Sequence, residues 1–424
     1  MGLTGEVCGP HAGRMIDGQK INALNEWLAE AGLNGTPEDV LVTSFCERAR
    51  DAGIPLARSL VLIDTLHPVY EGRLVRWGHD ASQPGMVEYG RTVVPDGVPL
   101  AADQEKGAAT WRQSPFFHML QTGQSLLKLT EEHASVFPVI RDYLAAGMKG
   151  GIAIVKRFAP EGVIGEMDAV YSSWMTTQPG GFDDHQVDAL VRTVPMLSLA
   201  VKTAALTRMT GTLLDTYLGR DAARRVLSGR IMRGVADRID AAIWFSDLRG
   251  FTRVTDSAPE QVIPLLNDYA DVIVSAVHDQ GGDVLKLIGD GILAIFTTGD
   301  RARCCSCALD AATAARRDVA ALNARRQADA LPVTDMYVGL HVGEVLYGNI
   351  GSIDRLDFTV VGPAVNEASR IAAMCRSVEQ PVLVSETFAA VDGMRERLVS
   401  VGRYALRGVE RPQELFTLEP AATA

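Results

Sequence analysis

The sequence has no excess of positive charge. Its 424 residues include 41 Lys plus Arg against 52 Asp plus Glu, which gives a formal net charge of −11. A mildly acidic chain has no overall electrostatic reason to bind nucleic acid or an anionic membrane. We therefore expect no nucleic-acid partner, and we expect any phosphate group to be bound by a few local cations or metal ions.

Cysteines and long apolar runs are also scarce. Six cysteines in a chain of this length do not make a disulfide framework, and their scarcity is typical of a reducing compartment. The first ten residues have neither the basic nor the apolar segment of a signal peptide. No run reaches the roughly 18 apolar residues that a membrane helix needs. These absences predict a soluble, cytoplasmic protein without a membrane span.

The composition is that of a globular protein, with 47% hydrophobic and 22% charged residues. At roughly 150 residues per domain, the length predicts two or three domains. No internal repeat or low-complexity tract is present. Changes in pattern along the chain predict an N-terminal extension over residues 1–19, a first domain over 20–200, a helical connector over 201–236 and a second domain over 237–420.

The first domain alternates helical and strand-like stretches. Strands are predicted at 58–65 and 73–77 and again at 151–158 and 165–175, which indicates the α+β class. A long helix is predicted from Asp183 or Asp184 towards Leu218. Its first half is either the last helix of the domain or part of a dimer helix, whereas its second half favours a connector. The arginine-rich stretch that follows, 220–233, indicates a solvated face or a contact with the next domain.

The second domain shows the order βαββαβ, which is typical of a ferredoxin-like fold with additions. Its predicted elements are a strand at 241–246, an amphipathic helix at 259–279, a hairpin of 284–288 and 292–296, an alanine-rich helix, strands at 336–342, 345–349 and 357–361, and a helix at 364–375.

Two aspartates stand at the ends of apolar strands in this domain. Asp247 ends the first strand, and Asp290 lies at the tip of the hairpin. The first strand and the hairpin are neighbours in a split βαβ sheet, so the two carboxylates can converge. Close carboxylates repel each other unless cations bridge them, and oxygen ligands suit Mg²⁺ or Mn²⁺. The alternative is a pair of ordinary turn aspartates.

Asn366 and Arg370 lie four residues apart in the last predicted helix, so they share one face. Arginine offers a planar fork of donors to a phosphate, and asparagine offers a hydrogen bond to a sugar or phosphate oxygen. Taken alone, the pair could equally be an ordinary polar helix face.

Four segments, in this order and at these separations, resemble the catalytic domain of class III nucleotidyl cyclases of the bacterial adenylate cyclase type. The resemblance covers roughly residues 239–418. The segments are FSDLRGFT, KLIGDGILAIF, GLHVGEVLYGNIG and DFTVVGPAVNEASR.

The resemblance implies a role for each matching residue. Asp247, Asp290 and the carbonyl of Leu248 would bind two Mg²⁺ or Mn²⁺ ions in each active site. Lys286 and Thr359 would contact the purine, and Asn366 would orient the ribose. The remaining implied contacts are charge stabilisation at the α-phosphate by Arg370 and, from a looser motif, polyphosphate binding by Arg407.

The resemblance further implies a homodimer, because the family builds each active site from two subunits. The metal-binding aspartates come from one subunit, and Lys286, Thr359, Asn366 and Arg370 come from the other. The ribose 3′-oxygen would attack the α-phosphorus of ATP, releasing pyrophosphate and 3′,5′-cyclic AMP. Pro363 departs from the family pattern at a position where proline suits a helix start. Glu367 is polar for its helix and could meet the connector or the partner subunit.

Lys286 and Thr359 favour ATP as the substrate. Lysine donates only, whereas threonine donates or accepts, which fits N1 and the 6-amino group of adenine. A guanylate cyclase is the alternative, because guanine presents the reverse pattern. The remaining alternative is a sensor or scaffold that keeps the cyclase fold without its chemistry.

The first domain resembles a GAF-type sensor domain in pattern, with a PAS-like domain as the alternative. It would bind an unidentified small molecule or other signal and regulate the second domain. Its histidines lack ligand spacing, and its aromatic residues are either core or pocket residues. The cysteines at 304, 305 and 307 lie in the alanine-rich helix and are interpreted as packing residues, with a redox switch or metal site as alternatives.

Overall fold

The computed structural model describes residues 16–79, 84–91, 102–165, 167–406 and 412–419. The chain divides into two compact units, residues 1–213 and residues 214–424. The boundary between them falls inside the predicted connector. Each unit contains its own sheet.

The N-terminal unit contains six strands and five helices in the described residues, and a sixth helix continues past its boundary. The helices are α1 (Gly18–Leu33), α2 (Glu38–Asp51), α3 (Ala102–Arg112), α4 (Pro115–Thr122), α5 (Pro138–Ala145) and α6 (Asp184–Leu218). The strands are β1 (Arg58–Asp64), β2 (Tyr70–Trp77), β3 (Met86–Gly90), β4 (Leu126–Leu129), β5 (Gly150–Arg157) and β6 (Ala169–Thr176).

The sheet of this unit has the order β3-β2-β1-β6-β5-β4, with antiparallel neighbours throughout. Alternation along β1 gives the sheet two different faces. Val61 and Ile63 pack in one core with α1, α2 and α6, whereas Leu60 and Leu62 belong to a second cluster on the opposite face. The α+β prediction for this half is confirmed, while its assignment as GAF or PAS remains a prediction.

Helix α6 spans 35 residues and contains Pro195, where the sequence predicts a kink. The apolar spacing predicted a long helix here. Asp183 and Gln186 cap the start of the helix reciprocally. The backbone N–H of Gln186 donates to Asp183 Oδ1, and the backbone N–H of Asp183 donates to Gln186 Oε1. Among the described residues, α6 alone is long and apolar enough to cross a membrane, and 56% of its most apolar stretch is buried inside the protein.

The C-terminal unit contains the remaining elements. Its helices are α7 (Arg220–Leu227), α8 (Phe251–Ser257), α9 (Val262–Asp279), α10 (Arg301–Ala328), α11 (Pro363–Val378) and α12 (Glu386–Ala389). Its strands are β7 (Ala236–Leu248), β8 (Asp283–Ile288), β9 (Gly291–Phe296), β10 (Met336–Gly351), β11 (Leu356–Val361), β12 (Val382–Ser385), β13 (Leu398–Tyr404) and β14 (Gln413–Leu418).

The sheet of this unit confirms the split βαβ topology. Its order is β13-β14-β12-β10-β7-β9-β8, and β11 pairs with the second half of β10. Each neighbouring pair within β10-β7-β9-β8 is antiparallel, which is the ferredoxin-like arrangement. Strands β7 and β9 are therefore neighbours, as the sequence predicted.

Two predictions about local structure were wrong or incomplete. The segments at 336–342 and 345–349 are a single strand, β10, because Gly343 and Glu344 stay in register with Ala241 and Asp240. The arginine-rich stretch begins as helix α7, and Ala222 and Ala223 on that helix are buried in the C-terminal unit. It therefore contacts the domain that follows rather than forming a wholly solvated face.

Candidate functional site

Asp247 and Asp290 converge at one end of the C-terminal sheet. Asp247 is the penultimate residue of β7, and Asp290 lies in the turn between β8 and β9. Gly289 just before it has φ +64°, a left-handed conformation that glycine adopts without strain. The two carboxyl groups lie close enough for Asp290 to raise the pKa of Asp247. The neighbouring strands therefore produce the convergence that the sequence predicted.

The surroundings of Asp247 disfavour its negative charge. Burial raises the pKa of Asp247 to about 6, and the neighbouring carboxyl group of Asp290 acts in the same direction. The amide of Leu248 and the positive charge of Arg376 on α11 lower the pKa in part. A bound cation would favour the charged form of Asp247 and would displace its proton.

The end of strand β7 is held rigidly. The Leu248 side chain is buried in the core, and the next residue is fixed by two hydrogen bonds. The amide of Arg249 donates to the Asp335 carbonyl at 2.7 Å, and Thr334 Oγ1 donates to the Arg249 carbonyl at 2.6 Å. The carboxylate of Asp247 and the backbone of Leu248 are thus placed by the fold rather than by a mobile loop.

This donor set fits a hard divalent cation. The described residues contain no group of three or more His, Cys, Asp and Glu side chains that could hold a metal ion. Two carboxylates and one backbone carbonyl leave several coordination positions for water or substrate oxygens. Mg²⁺ commonly binds in this way, through one or two carboxylates together with substrate phosphates.

Lys286 lies on β8, four residues before Asp290, but it belongs to a different cluster. Its Nζ donates to Asp357 Oδ2 at 2.5 Å. Asp357 and Thr359 both lie on the outer face of β11, whereas Phe358 between them is directed into the core. The predicted purine-contacting residues therefore lie on two elements that meet through the Lys286–Asp357 pair.

Helix α11 presents Asn366 and Arg370 beside its buried face. Ala364, Ala368 and Ile371 are buried, while Asn366 is exposed and Arg370 is half-buried. The helix packs very closely on strand β10. A Cβ atom placed on Gly339 would lie 2.4 Å from the Ala372 nitrogen and 2.5 Å from the Ala368 oxygen.

Pro363 and Glu367 are the two unusual residues of α11. Pro363 is the first residue of the helix, where its missing N–H costs nothing. Glu367 has a contact inside its own unit, because its Oε1 lies 3.6 Å from His341 Nδ1. Burial lowers the pKa of His341, while Glu367 partly offsets this effect.

The structure thus divides the described site residues into three local groups. These are the Asp247–Asp290 pair with Leu248, the Lys286–Asp357 pair with Thr359, and the Asn366–Arg370 face of α11. Arg407, the weaker polyphosphate candidate, lies outside the described residues.

Sequence reasoning missed Asp357 and Arg376. Asp357 stands two residues before Thr359, so strand alternation would have placed both on one face. Arg376 carried no comparable signal, because its approach to Asp247 depends on how α11 packs against the sheet.

The cysteines of α10 behave as packing residues. Cys304 and Cys305 are buried in the core of the C-terminal unit. Burial raises the pKa of Cys305 to about 12, which makes it a poor nucleophile and a poor metal ligand at neutral pH.

Residues 236–420 match the family model of the adenylate and guanylate cyclase catalytic domain. An adenylate cyclase of Anabaena cylindrica is 33% identical over 159 residues, which cover 36% of this chain and 31% of that protein. An uncharacterized protein of Mycobacterium tuberculosis is 33% identical over 206 residues, which cover 48% of this chain and 37% of the relative. The chain thus spans about a third of the length of these curated relatives.

Among solved structures, the adenylyl cyclase CyaB from P. aeruginosa is similar to part of this chain. The match has 23% identity and a TM-score of 0.41, and it covers 45% of this chain and 98% of that one.

Proposed function

We propose, from the premise that residues 236–420 are a class III cyclase catalytic domain, that this protein converts ATP to 3′,5′-cyclic AMP and pyrophosphate. The observation that carries the proposal is the convergence of the Asp247 and Asp290 carboxyl groups at one end of the C-terminal sheet. A partly buried carboxyl pair of this kind opposes folding, since each negative charge repels the other. A bound divalent cation would remove that cost.

Asp247, Asp290 and the carbonyl of Leu248 would hold two Mg²⁺ or Mn²⁺ ions. When bound, these ions activate the attacking hydroxyl and neutralise the triphosphate. The protein supplies rigid carboxylates, because β7 and the β8–β9 turn are fixed by the sheet ladder.

The reaction is an intramolecular phosphoryl transfer. A bond forms between the ribose 3′-oxygen and the α-phosphorus, the 3′-hydroxyl gives up its proton to water, and the bond from that phosphorus to the pyrophosphate oxygen breaks. The guanidinium of Arg370 would donate to the α-phosphate oxygens as their negative charge grows. Asn366, one helical turn earlier, would bind the ribose and hold its 3′-oxygen towards the phosphorus. Arg407 would add a contact to the polyphosphate.

Base selection would depend on Lys286 and Thr359. The Lys286 ammonium would donate to N1 of adenine, and Thr359 would accept from the 6-amino group. One observation favours GTP as a second candidate substrate. The carboxylate of Asp357 beside Lys286 could accept hydrogen bonds from the N1–H and 2-amino group of guanine.

The functional unit would be a homodimer with two equivalent active sites. Exposed apolar side chains support this proposal, because they flank the proposed site residues. Leu287 and Ile288, between Lys286 and Asp290, are 58% and 45% exposed, and Val361 on the face of Thr359 is 41% exposed. A symmetric partner that covered these residues would remove apolar surface from water.

The N-terminal unit would regulate this activity, with α6 as the physical connection along the chain. We further propose a cytoplasmic protein without a membrane span. More than half of the apolar stretch of α6 is buried inside the protein, and α6 supplies many residues to the N-terminal core. A helix that is packed in this way has an apolar surface without needing a lipid environment.

Nucleotide turnover by the purified protein tests the proposed function. ATP, GTP, CTP and UTP would each be supplied with Mg²⁺ and with Mn²⁺. Cyclic AMP from ATP supports the proposal, and preferential cyclic GMP formation supports the second candidate. No cyclic product from any triphosphate would overturn the enzymatic function in favour of a silent scaffold.

Complementation tests the shared active site. Asp290→Asn and Arg370→Ala should each be inactive alone. A one-to-one mixture of refolded or co-expressed subunits should regain about a quarter of the wild-type activity, because half the dimers carry one intact site of two. A mixture that stays inactive, although the subunits are shown to associate, would contradict the shared site.

A further inference from the structure

The direction of the Leu248 carbonyl, the backbone group in the proposed metal-binding set, depends on the peptide bond to Arg249. A trans peptide unit is planar, so its C=O and its N–H point in opposite directions. The Arg249 N–H donates to the Asp335 carbonyl at 2.7 Å. That hydrogen bond therefore fixes the Leu248 carbonyl in the direction away from Asp335.

Thr334 fixes the next peptide unit of the same segment. Its Oγ1 donates to the Arg249 carbonyl at 2.6 Å. The backbone of Arg249 is thus held on both sides, through its N–H by Asp335 and through its C=O by Thr334. The peptide units that follow Asp247 can rotate only if residues 334 and 335 also move.

Residues 334 and 335 lie in the loop that joins α10 to β10, which begins at Met336. Loops are generally more mobile than the elements that they connect. The loop can act as a rigid support for the end of β7 only if other groups hold it in place. Side chains from helices α9 and α10 supply those groups.

Tyr269 of α9 and Asn323 of α10 hold both backbone polar groups of Thr334. The Thr334 N–H donates to the Tyr269 hydroxyl oxygen at 2.8 Å, and Asn323 Nδ2 donates to the Thr334 carbonyl at 2.7 Å. The Tyr269 hydroxyl in turn donates to Asn323 Oδ1. These hydrogen bonds form a closed ring of three residues, Tyr269, Asn323 and Thr334, which we call the loop cluster.

The loop cluster is anchored in the core of the C-terminal unit. Tyr269 is completely buried and packs in the same core as Leu265 and Ile273 of its own helix, and Thr334 is also buried. Burial raises the pKa of Tyr269, so its hydroxyl stays protonated and can donate at neutral pH. Satisfied hydrogen bonds in a buried network make the groups that they join rigid.

We propose that Tyr269, Asn323 and Thr334 are positioning residues for the divalent-cation site. They would act through the backbone of Arg249, which aims the Leu248 carbonyl and fixes the strand end that carries Asp247. The inference rests on the proposed function, because it assigns these residues to the metal site of that same reaction. A network with a purely structural role would stabilise the fold without changing the affinity for the cation.

Mn²⁺ titration calorimetry of the full-length protein tests this role without using turnover. Thr334→Val keeps the shape of the side chain but removes the donor to the Arg249 carbonyl. Mn²⁺ binding should weaken at least about tenfold, the lower end of the loss expected when a group that orients a metal ligand is removed. Thr334→Ser restores the hydroxyl and should bind Mn²⁺ nearly as the wild type does.

Tyr269→Phe is the second variant, and it keeps the proposal testable if Thr334→Val does not fold. It retains the buried ring but removes the acceptor of the Thr334 N–H, so Mn²⁺ binding should weaken again. Hydrogen exchange at the Arg249 amide of the metal-free protein should also become faster. Tyr404→Phe, which removes a hydrogen bond to the Val401 carbonyl on the edge strand β13, is the matched control and should change neither quantity.

Urea denaturation of each variant separates positioning from stability. Lower stability with unchanged Mn²⁺ affinity in the folded variants would overturn the positioning role and leave the proposed metal site standing. A wild-type protein that binds no Mn²⁺ would overturn the metal site, and the positioning role with it. Weaker Mn²⁺ binding in Thr334→Val, restored in Thr334→Ser, is the result that we expect.

Discussion

Lys286 donates a hydrogen bond to Asp357 at 2.5 Å, so the residue proposed to read the base is already held by a carboxylate. Both side chains are 42% exposed, which places the pair at the surface of the C-terminal unit. A surface ion pair contributes little to stability. The Lys286–Asp357 pair would instead orient the Lys286 ammonium before the nucleotide binds.

Asp357→Asn should therefore affect specificity more than stability. Without the carboxylate, Lys286 loses its fixed direction, and kcat/KM for ATP should fall about tenfold, the scale of one charged hydrogen bond. Asp354→Asn, on an exposed carboxylate three residues earlier, is the control and should change neither quantity. Turnover of ATP and GTP in parallel is the measurement.

The same comparison separates the two candidate substrates. A larger loss for GTP than for ATP would indicate that Asp357 contacts guanine. Unchanged kinetics for both nucleotides would show that the pair has no role in base binding.

Asp290→Asn should change activity and stability in opposite directions. Cyclase activity should fall by more than about a hundredfold, because even residues that only support a metal ligand commonly cost 10–100-fold. The free energy of unfolding should rise by no more than about 1 kcal/mol, since one of two repelling charges is removed from a half-exposed site. Asp256→Asn, on the exposed face of α8, is the matched control.

Urea denaturation and turnover would be measured on the same samples. A variant that loses both activity and stability would show that the Asp247–Asp290 pair is structural. That result would contradict the proposed metal site.

The raised pKa of Asp247 predicts that divalent cation binding depends on pH. The proton must leave before a cation binds, so Mn²⁺ affinity should fall about tenfold per unit as the pH drops below about 6. Titration calorimetry at pH 5.0 and 7.5, values about one unit or more on either side of this pKa, would measure the change. In Asp247→Asn, binding should be weak at both pH values.

In the metal-free protein, Asp247 should make the folded state less stable as the pH rises, whereas cation affinity rises with pH. The folded-state pKa of Asp247 lies above the ordinary value of 3.8, so the folded state binds more protons than the unfolded chain between these values. The free energy of unfolding contributed by this group should therefore fall as the pH rises from about 4 to 6. The contribution of Asp247 is the difference between the wild-type and Asp247→Asn curves, and a difference that increases with pH would contradict the assignment.

Gly339→Ala should destabilise the C-terminal unit and displace α11. The added methyl group would meet the backbone at Ala368 and Ala372, and overpacking of this kind costs about 3 kcal/mol. Asn366 and Arg370 are on the same helix, so activity should fall with stability. Urea denaturation and ATP turnover are the measurements.

Gly211→Ala is the matched control for that substitution. Gly211 lies within α6, and a Cβ atom there meets nothing within 4 Å. Replacing glycine by alanine in a helix should stabilise it by about 0.5–1 kcal/mol. Equal losses in the two variants would show that the close approach at Gly339 is not the cause.

The sequence by itself determined helix α6 and much of the C-terminal unit. Apolar spacing predicted the long helix α6, and the βαββαβ order predicted that β7 and the β8–β9 hairpin are neighbours. Asp247 and Asp290 end apolar strands, so their convergence followed from topology. These features are local or periodic, and a periodic pattern can be recognised in the sequence without knowledge of distant contacts.

Tertiary structure alone decided the rest. The pairing of Lys286 with Asp357 joins residues that are 71 positions apart, and the approach of Arg376 to Asp247 depends on how closely α11 packs at Gly339. The loop cluster joins side chains of two helices to a loop, and their spacing carries no motif. Long-range packing determines which of many polar and aromatic residues share one space, and a linear pattern does not contain that information.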